Sequence, residues 1–175
     1  MKINIEDFVI KECEPSCIDE ILKIQSETFA ELEYADILSN NSKEMLQECL
    51  MPPHVTLGAW YDNTLVAFSI LYVPQDNKEN LSMSLENVDI KGLKTANNKL
   101  CIVRKIFRGN SLQFELGRRL ELYAREMGIK LICATVSPKN QYSINNINGI
   151  LRLGYAYNRT FLSKYGERNL YYKFL

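Results

Sequence analysis

The chain has 175 residues, of which 46% are hydrophobic and 24% charged, enough apolar material for the core of one compact domain. Lysine plus arginine equals aspartate plus glutamate at 21 each, which argues against a general nucleic-acid-binding protein, because such proteins carry a basic surplus. No apolar run approaches the roughly 20 residues that span a bilayer, and the charged N-terminus does not match a signal peptide. We therefore expect a single domain over residues 1–175, located in the cytoplasm, without a membrane or nucleic-acid partner.

The cysteines and the histidine do not form the patterns of a metal or nucleophile site. Five cysteines, an odd number, are typical of reduced thiols in a cytosolic chain. Cys13 and Cys17 lack the two-residue spacing of a metal knuckle, and His54 is the only histidine. We expect neither a bound metal nor a Cys–His nucleophilic pair, and we expect His54 to be a turn residue.

The first half of the chain predicts a strand, two helices and a hairpin. Alternating apolar residues indicate a strand over 8–14, and Ser16 is the expected N-cap of a helix that continues to about Ala30. A second helix begins at Ser42 and stops before Pro52-Pro53. Two β-rich runs, 55–60 and 65–73, flank turn residues and predict an antiparallel hairpin. The polar segment 74–98 predicts a long loop.

The second half predicts strands that alternate with helices. The expected elements are a strand over 99–107, a long helix over 112–127, a buried strand Leu131–Val136, a helix over 143–153, and strands over 155–164 and 169–175. The long helix is ended by Gly128. This order of elements indicates a mixed α/β domain.

One segment, residues 99–113, carries a recognisable chemical signal. A strand leads through a short turn of small and polar residues directly into a helix, which leaves backbone N–H groups at the positive end of the helix dipole, where they can hold a phosphate. Arg108 adds a charge and bidentate donors, and Gly109 permits a positive φ or a close approach. Taken alone, such a turn is more often purely structural.

From about residue 99 to 155 the sequence resembles the core of the GNAT (N-acetyltransferase) superfamily. In the first family motif, Arg or Gln, two residues, Gly, one residue, and Gly or Ala precede a helix. Arg108 matches the first position, whereas Ser111 and Gln113 stand where the family has small residues. Ser leaves room for a pyrophosphate; Gln is the larger departure and is expected to shift or partly cover the phosphate pocket.

The second motif of the resemblance follows Leu131–Val136. In the family an Asn after the fifth strand contacts the pantetheine arm, a small residue follows three positions later, and the next helix ends in Gly-Phe or Gly-Tyr. Asn140, Ser143 and Gly154-Tyr155 fit this pattern. Both motifs occur in the family order and on the expected elements. The early strand, helix pair and hairpin also match the family topology, so the resemblance covers nearly the whole chain.

The resemblance implies an α/β fold with a mixed, mostly antiparallel sheet of about seven strands, a parallel and splayed pair formed by strands 4 and 5, and about four helices. It also implies an acetyl-CoA-dependent N-acetyltransferase in which an amine attacks the thioester directly. A backbone N–H of Ile102 or Val103 would polarise the thioester oxygen. The implied cofactor-binding residues are Cys101, Ile102, Val103, Arg108, Gly109, Asn110, Ser111, Leu112, Gln113, Asn140 and Ser143.

The groups that transfer protons are not evident from the resemblance. Relatives place a tyrosine acid in the fourth helix, but the corresponding position here is Ile150 or Ile147, depending on the end from which one counts. Tyr142 is the candidate acid nearest in sequence, and Glu31 is the candidate base. The alternative acids, each of which fits a solvated helix face or loop at least as well, are Glu27, Glu33, Asp36 and Glu86.

Two other functions stay open at this point. The chain could be a catalytically weak acyl-CoA-binding sensor, which the replacement at Gln113 and the missing tyrosine favour. A nucleotide binder is less compatible, because no Gly-Lys-Ser/Thr follows the turn. The sequence does not identify the amine acceptor, nor does it decide between a monomer and a homodimer.

Overall fold

The structure, a computed structural model, describes residues 2–76 and 78–175. In this part of the chain seven strands form one sheet in the order β1-β2-β3-β4-β5-β7-β6. The strands are β1 Val9–Glu12, β2 Val55–Tyr61, β3 Thr64–Tyr72, β4 Thr95–Val103, β5 Leu131–Val136, β6 Ala156–Ser163 and β7 Gly166–Phe174. The α-helices are α1 Ile18–Ala30, α2 Lys43–Cys49, α3 Leu112–Glu126 and α4 Gln141–Asn148.

The four helices cover both faces of the sheet. Alternate side chains of β4 show the division, because Leu100 and Ile102 pack in the core under α1 and α2, whereas Cys101 and Val103 pack against the core under α3 and α4. All sheet pairs are antiparallel except β4 with β5. The predicted α/β fold, with its parallel strands 4 and 5, is confirmed.

The parallel pair β4–β5 separates part-way along its length. Pairing runs from Thr95 opposite Leu131 to Asn98 opposite Ala134 and then stops. At that point the register of β4 against β3 shifts, so that Lys99 has no opposite residue on β3. Such a bulge increases the local twist and turns a strand away from its neighbour. The strands therefore diverge beyond Asn98, and β4 leaves one edge unpaired there.

The predicted bounds of β4 were wrong, as was the predicted length of the loop before it. The strand begins at Thr95 rather than at 99 and ends at Val103, and Lys105–Phe107 form a 3-10 helix. The first residues of β4 are polar, and the sequence therefore predicted a loop there. In the structure their side chains form hydrogen bonds with neighbouring segments; Asn97 Nδ2, for example, donates to the Glu79 carbonyl at 2.6 Å. The predicted loop also contains a 3-10 helix, Leu81–Ser84.

Two predicted helix ends also differ from the structure. A 3-10 turn, Pro15–Cys17, occupies the predicted Ser16 N-cap, and α1 then begins at Ile18 without a capping side chain. The α4 helix ends at Asn148 rather than 153, because Gly149 adopts an extended ψ of 131°. The predicted start of the second helix agrees with the structure, where Ser42 caps α2 and its Oγ accepts from the Met45 N–H at 3.2 Å.

Within the described ranges, no helix combines the length and the apolar character that crossing a membrane requires. Met1 and Asn77, which fall in the predicted domain and the predicted loop, lie outside the described residues.

Candidate active site

A cleft opens where β4 and β5 diverge, and it reaches both faces of the sheet. The strands contribute Ser69, Asn98, Lys99, Leu100, Cys101, Ala134, Thr135 and Val136. The α3–α4 face contributes Gln113, Asn140, Ser143, Asn146, Ile147 and Leu153. Ile37, Leu38 and Ser39, from the loop after α1, and Arg168 of β7 complete the lining. A molecule in this cleft would contact both layers of helices through the gap in the sheet.

Backbone groups of β4 face this cleft at every second residue. The Arg104 N–H donates to the Val66 carbonyl at 2.9 Å, and an antiparallel pair alternates between bonded and non-bonded positions. The N–H of Ile102 is therefore directed at β3, as is that of Arg104. Cys101 and Val103 direct theirs at the cleft. Of the two predicted oxyanion donors, the strand geometry thus favours Val103 over Ile102.

The turn between β4 and α3 has the backbone of an anion-binding loop. Gly109 has a φ of +84° and Ser111 a φ of +59°, and the Ser111 side chain makes no capping hydrogen bond to α3. The N–H groups of the first turn of α3, including those of Leu112 and Gln113, have no carbonyl partner inside the helix. They lie at the positive end of the helix dipole, which suits a phosphate.

Asn110 supports this turn through its side chain. It is buried, its Oδ1 accepts from the Ile3 N–H at 2.9 Å and its Nδ2 donates to the Phe107 carbonyl at 3.0 Å. These contacts tie the turn to the N-terminal segment of the chain. The Asn110 side chain therefore positions the turn. The predicted cofactor-binding role of this residue then falls to its backbone.

Arg108 lies at the turn with its guanidinium folded toward the end of β4. Its Nε donates to the Val103 carbonyl at 3.0 Å, and its Nη2 lies 3.9 Å from Glu31 Oε2. Both side chains are substantially exposed, so the ion pair is screened and weak. The structure thus brings Glu31 to the predicted phosphate arginine and not to the lining of the cleft.

A hydrogen bond between Gln113 and Ser143 joins α3 to α4 across the cleft. The Gln113 Nε2 donates to the Ser143 Oγ at 3.1 Å. Asn140 lies beside this link, but its Oδ1 caps α4 by accepting from the Ser143 N–H at 3.1 Å. The larger side chain at Gln113 therefore spans the position where the family motif has a small residue.

The structure does not bring Tyr142 into the cleft. Its side chain is 90% exposed on α4, and Ile150 is 95% exposed on the turn that follows. Ser143, Asn146 and Ile147 are the α4 residues that line the cleft. Of the two positions that correspond to the tyrosine acid of relatives, Ile147 is buried in the cleft and Ile150 is exposed.

The candidate bases also lie outside the cleft. Among the described residues that line the cleft there is no aspartate or glutamate. The other candidate acids are exposed or form ion pairs: Glu27 with Arg104, Asp36 with Lys139 and Glu86 with Arg159, while Glu33 is exposed. His54 is buried away from the cleft, where its Nδ1 accepts from the Val73 N–H at 3.0 Å.

Two polar side chains in the cleft had no sequence signal. Asn146 and Arg168 are both buried, and neither Asn146 Nδ2 nor Arg168 Nη2 makes a hydrogen bond within the described chain. Arg168 belongs to a polar stretch beside a hairpin turn, and Asn146 to an amphipathic helix, so composition could not distinguish them from surface residues. Only the pairing of β7 with β5 brings Arg168 to the cleft.

Burial changes the acid–base properties of the cleft residues. Burial raises the pKa of the Cys101 thiol to about 12, although a hydrogen bond with Ser69 acts in the opposite direction. Burial also lowers the pKa of the Arg168 guanidinium, against the attraction of Asp36 and Tyr165. At neutral pH the Cys101 thiol is therefore protonated and a poor nucleophile.

No family model matches the sequence, and no curated protein matches it either. Solved structures do resemble the fold. A GCN5-related N-acetyltransferase from Kribbella flavida is 15% identical, with a TM-score of 0.72 over 97% of this chain and 99% of that one. A putative acetyltransferase from Salmonella typhimurium, solved with acetyl-CoA, is 12% identical, with a TM-score of 0.71 over 97% of this chain and 94% of that one.

A third structure with a similar fold belongs to an enzyme that is named for its acceptor. A ribosomal-protein-alanine N-acetyltransferase from Brucella melitensis is 14% identical, with a TM-score of 0.70 over 95% of this chain and 99% of that one. At such identities the likeness concerns the fold. The chain has the GNAT fold, and its diverging β4–β5 pair and the turn into α3 are parts of that fold.

Proposed function

We propose that this protein is an acetyl-CoA-dependent N-acetyltransferase. The observation that carries the proposal is the cleft between the diverging strands β4 and β5, which reaches Gln113 in the first turn of α3. The first turn of α3 offers helix N–H groups for a pyrophosphate, and Cys101, which lines the cleft, offers backbone groups for a pantetheine amide. The similarity to a structure solved with acetyl-CoA supports the same ligand.

The residues of the cleft suit direct transfer to an amine. Bound acetyl-CoA supplies the thioester carbonyl that the amine attacks, giving an amide and free CoA. The Val103 N–H can donate to the carbonyl oxygen as it gains charge, and the cleft holds the two reactants together. Because the Cys101 thiol stays protonated, a covalent acyl-enzyme on that residue is disfavoured. The amine loses its proton to water, since no described cleft residue is an acid or a histidine.

Acetyl-CoA binding is tested by thermal unfolding. A ligand that binds only the folded state adds about 2.7 kcal/mol to the free energy of unfolding at a hundredfold excess over its Kd. We expect acetyl-CoA to raise the Tm, and S-acetylpantetheine, which lacks the pyrophosphate, to raise it less. Absence of a shift at millimolar acetyl-CoA would contradict the proposal.

Catalysis is tested separately, by the release of free CoA with a panel of primary amines. A sensor of acyl-CoA is the second candidate function, because Gln113 spans the cleft and no positioned acid or base lines it. An acetyltransferase releases CoA in proportion to the acetylated amine. Binding of acetyl-CoA with no release above the rate without protein, across the panel, would support the sensor instead.

A further inference from the structure

Arg168 is a buried cation that forms no salt bridge within the described residues, although Asp36 attracts it from a distance. Its side chain is 3% exposed, and its Nη1 donates to the carbonyls of Asp36 at 2.7 Å and Glu167 at 2.9 Å. The Asp36 carboxylate is directed to Lys139, 2.8 Å away. Within the described residues no salt bridge reaches the guanidinium, and its Nη2 is buried with no hydrogen bond. A buried, uncompensated charge is costly, so this arrangement calls for an anion.

The uncompensated guanidinium lies at the acceptor side of the cleft. Arg168 immediately precedes Asn169, the residue of β7 that pairs with Val136 at the carboxyl end of β5. It contacts the loop after α1, which belongs to the face of the sheet opposite α3 and α4. The α3 turn and the β4 edge together occupy the path proposed for acetyl-CoA. The Arg168 side is therefore where the amine enters.

The positive charge of the cleft lining disfavours a polycationic acceptor. Lys99 and Arg168 line it, and no aspartate or glutamate among the described residues does. The Lys99 ammonium already lies over the Tyr72 ring and 4.0 Å from Glu79. Arg168 Nη2 thus remains without a hydrogen bond, and a single carboxylate is the kind of acceptor that a guanidinium N–H prefers.

We propose that the acceptor is a small amine that carries a carboxylate, an amino acid, whose carboxylate accepts from Arg168 Nη2 while its amine faces the thioester. The inference rests on the proposed acetyltransferase function and narrows its substrate class. Arg168 is then a specificity-determining residue that also ties the loop after α1 to β7.

The experiment compares each free amino acid with its amide. The panel contains both α-amino and ω-amino acids. CoA release is measured for the wild type and for Arg168→Gln, and kcat/KM is expressed per unprotonated amine so that the differing basicity of acid and amide cancels. We expect the wild type to prefer the best acid over its amide by about tenfold or more, the worth of one charged hydrogen bond. Arg168→Gln should abolish the preference mainly by raising KM for the acid.

Two further variants separate charge recognition from loop tethering. Lys139→Gln also removes one positive charge and one tether of the same loop, but from an exposed side chain, and should keep the preference. Arg168→Lys should keep part of it. If the wild type uses acids and amides equally, or if Arg168→Gln lowers both to the same extent, the proposal is wrong.

A binding measurement makes the inference testable without turnover. With saturating CoA, the free amino acids should raise the Tm of the wild type, whereas the amides should not, and Arg168→Gln should lose the difference. If acetyl-CoA raises the Tm but no amino acid does so and none is acetylated, the carboxylate proposal fails while CoA binding stands. If acetyl-CoA itself produces no shift, the proposed function fails first, and the acceptor assignment falls with it.

Discussion

At the scale of single residues, Arg108 allows binding to be separated from folding. Its contacts are one exposed hydrogen bond to the Val103 carbonyl and a 3.9 Å ion pair with Glu31. Losing them should lower the free energy of unfolding by about 1 kcal/mol or less. In Arg108→Ala, a lost charged contact to the pyrophosphate should weaken acetyl-CoA binding by about tenfold or more. Titration calorimetry and denaturant unfolding measure the two effects.

Lys105→Ala is the matched control for Arg108→Ala. Lys105 is an exposed cation in the same connection between β4 and α3, and its loss should change affinity less. Equal affinities for Arg108→Ala and the wild type would mean that the backbone N–H groups of α3 hold the phosphates without the arginine.

At the scale of elements, the link between α3 and α4 is expected to control access to the cofactor path. The Gln113–Ser143 hydrogen bond crosses the cleft, and a hydrogen bond of this kind contributes about 1 kcal/mol. We expect Gln113→Ala to bind acetyl-CoA several-fold more tightly, because the link no longer has to break and the position becomes small. Association and dissociation rates would locate the change in the association step.

Ser143→Ala removes the same hydrogen bond and keeps the glutamine side chain. It should improve affinity less than Gln113→Ala if the bulk of Gln113 matters, and equally if only the link matters. Weaker binding by Gln113→Ala would overturn the expectation and would mean that Gln113 itself contacts CoA.

At the scale of the whole molecule, the described residues that line the cleft include no aspartate, glutamate, histidine or tyrosine that could transfer the proton. Ile147 occupies the lining at α4, and Tyr142 points to solvent. The rate should therefore rise with pH as the acceptor amine loses its proton, and the rising limb should follow the pKa of each acceptor. Two acceptors of different basicity, compared in pH–rate profiles, measure this shift.

Tyr142→Phe serves as the variant for the same profiles. Removing a positioned acid or base lowers the rate by roughly a hundredfold or more, and we expect a change far below that because the side chain is 90% exposed. A limb that stays at one pH for both acceptors would reveal a titrating group of the protein. A large loss in Tyr142→Phe would identify that group as Tyr142.

The sequence alone was sufficient to predict the order of the elements around the cleft and to propose a cofactor site in one contiguous segment. Periodic apolar residues located the helices, and Leu131–Val136 was predicted with its exact ends because a fully buried parallel strand is continuously apolar. The turn at Arg108, Gly109 and Ser111 was found because it is contiguous, so its chemistry is visible in one short segment. Local patterns such as these depend on neighbours in the chain.

The acceptor side was decided by tertiary structure. Arg168 and the loop at Ile37–Ser39 lie more than a hundred residues apart in the chain and meet only because β7 pairs with β5 beyond the point where β4 and β5 diverge. The bulge at Lys99 that opens the cleft is likewise a matter of register between strands. Burial then left the Arg168 guanidinium without water and without a salt bridge among the described residues, and the cost of burying a charge depends on its surroundings in space and not on its place in the chain.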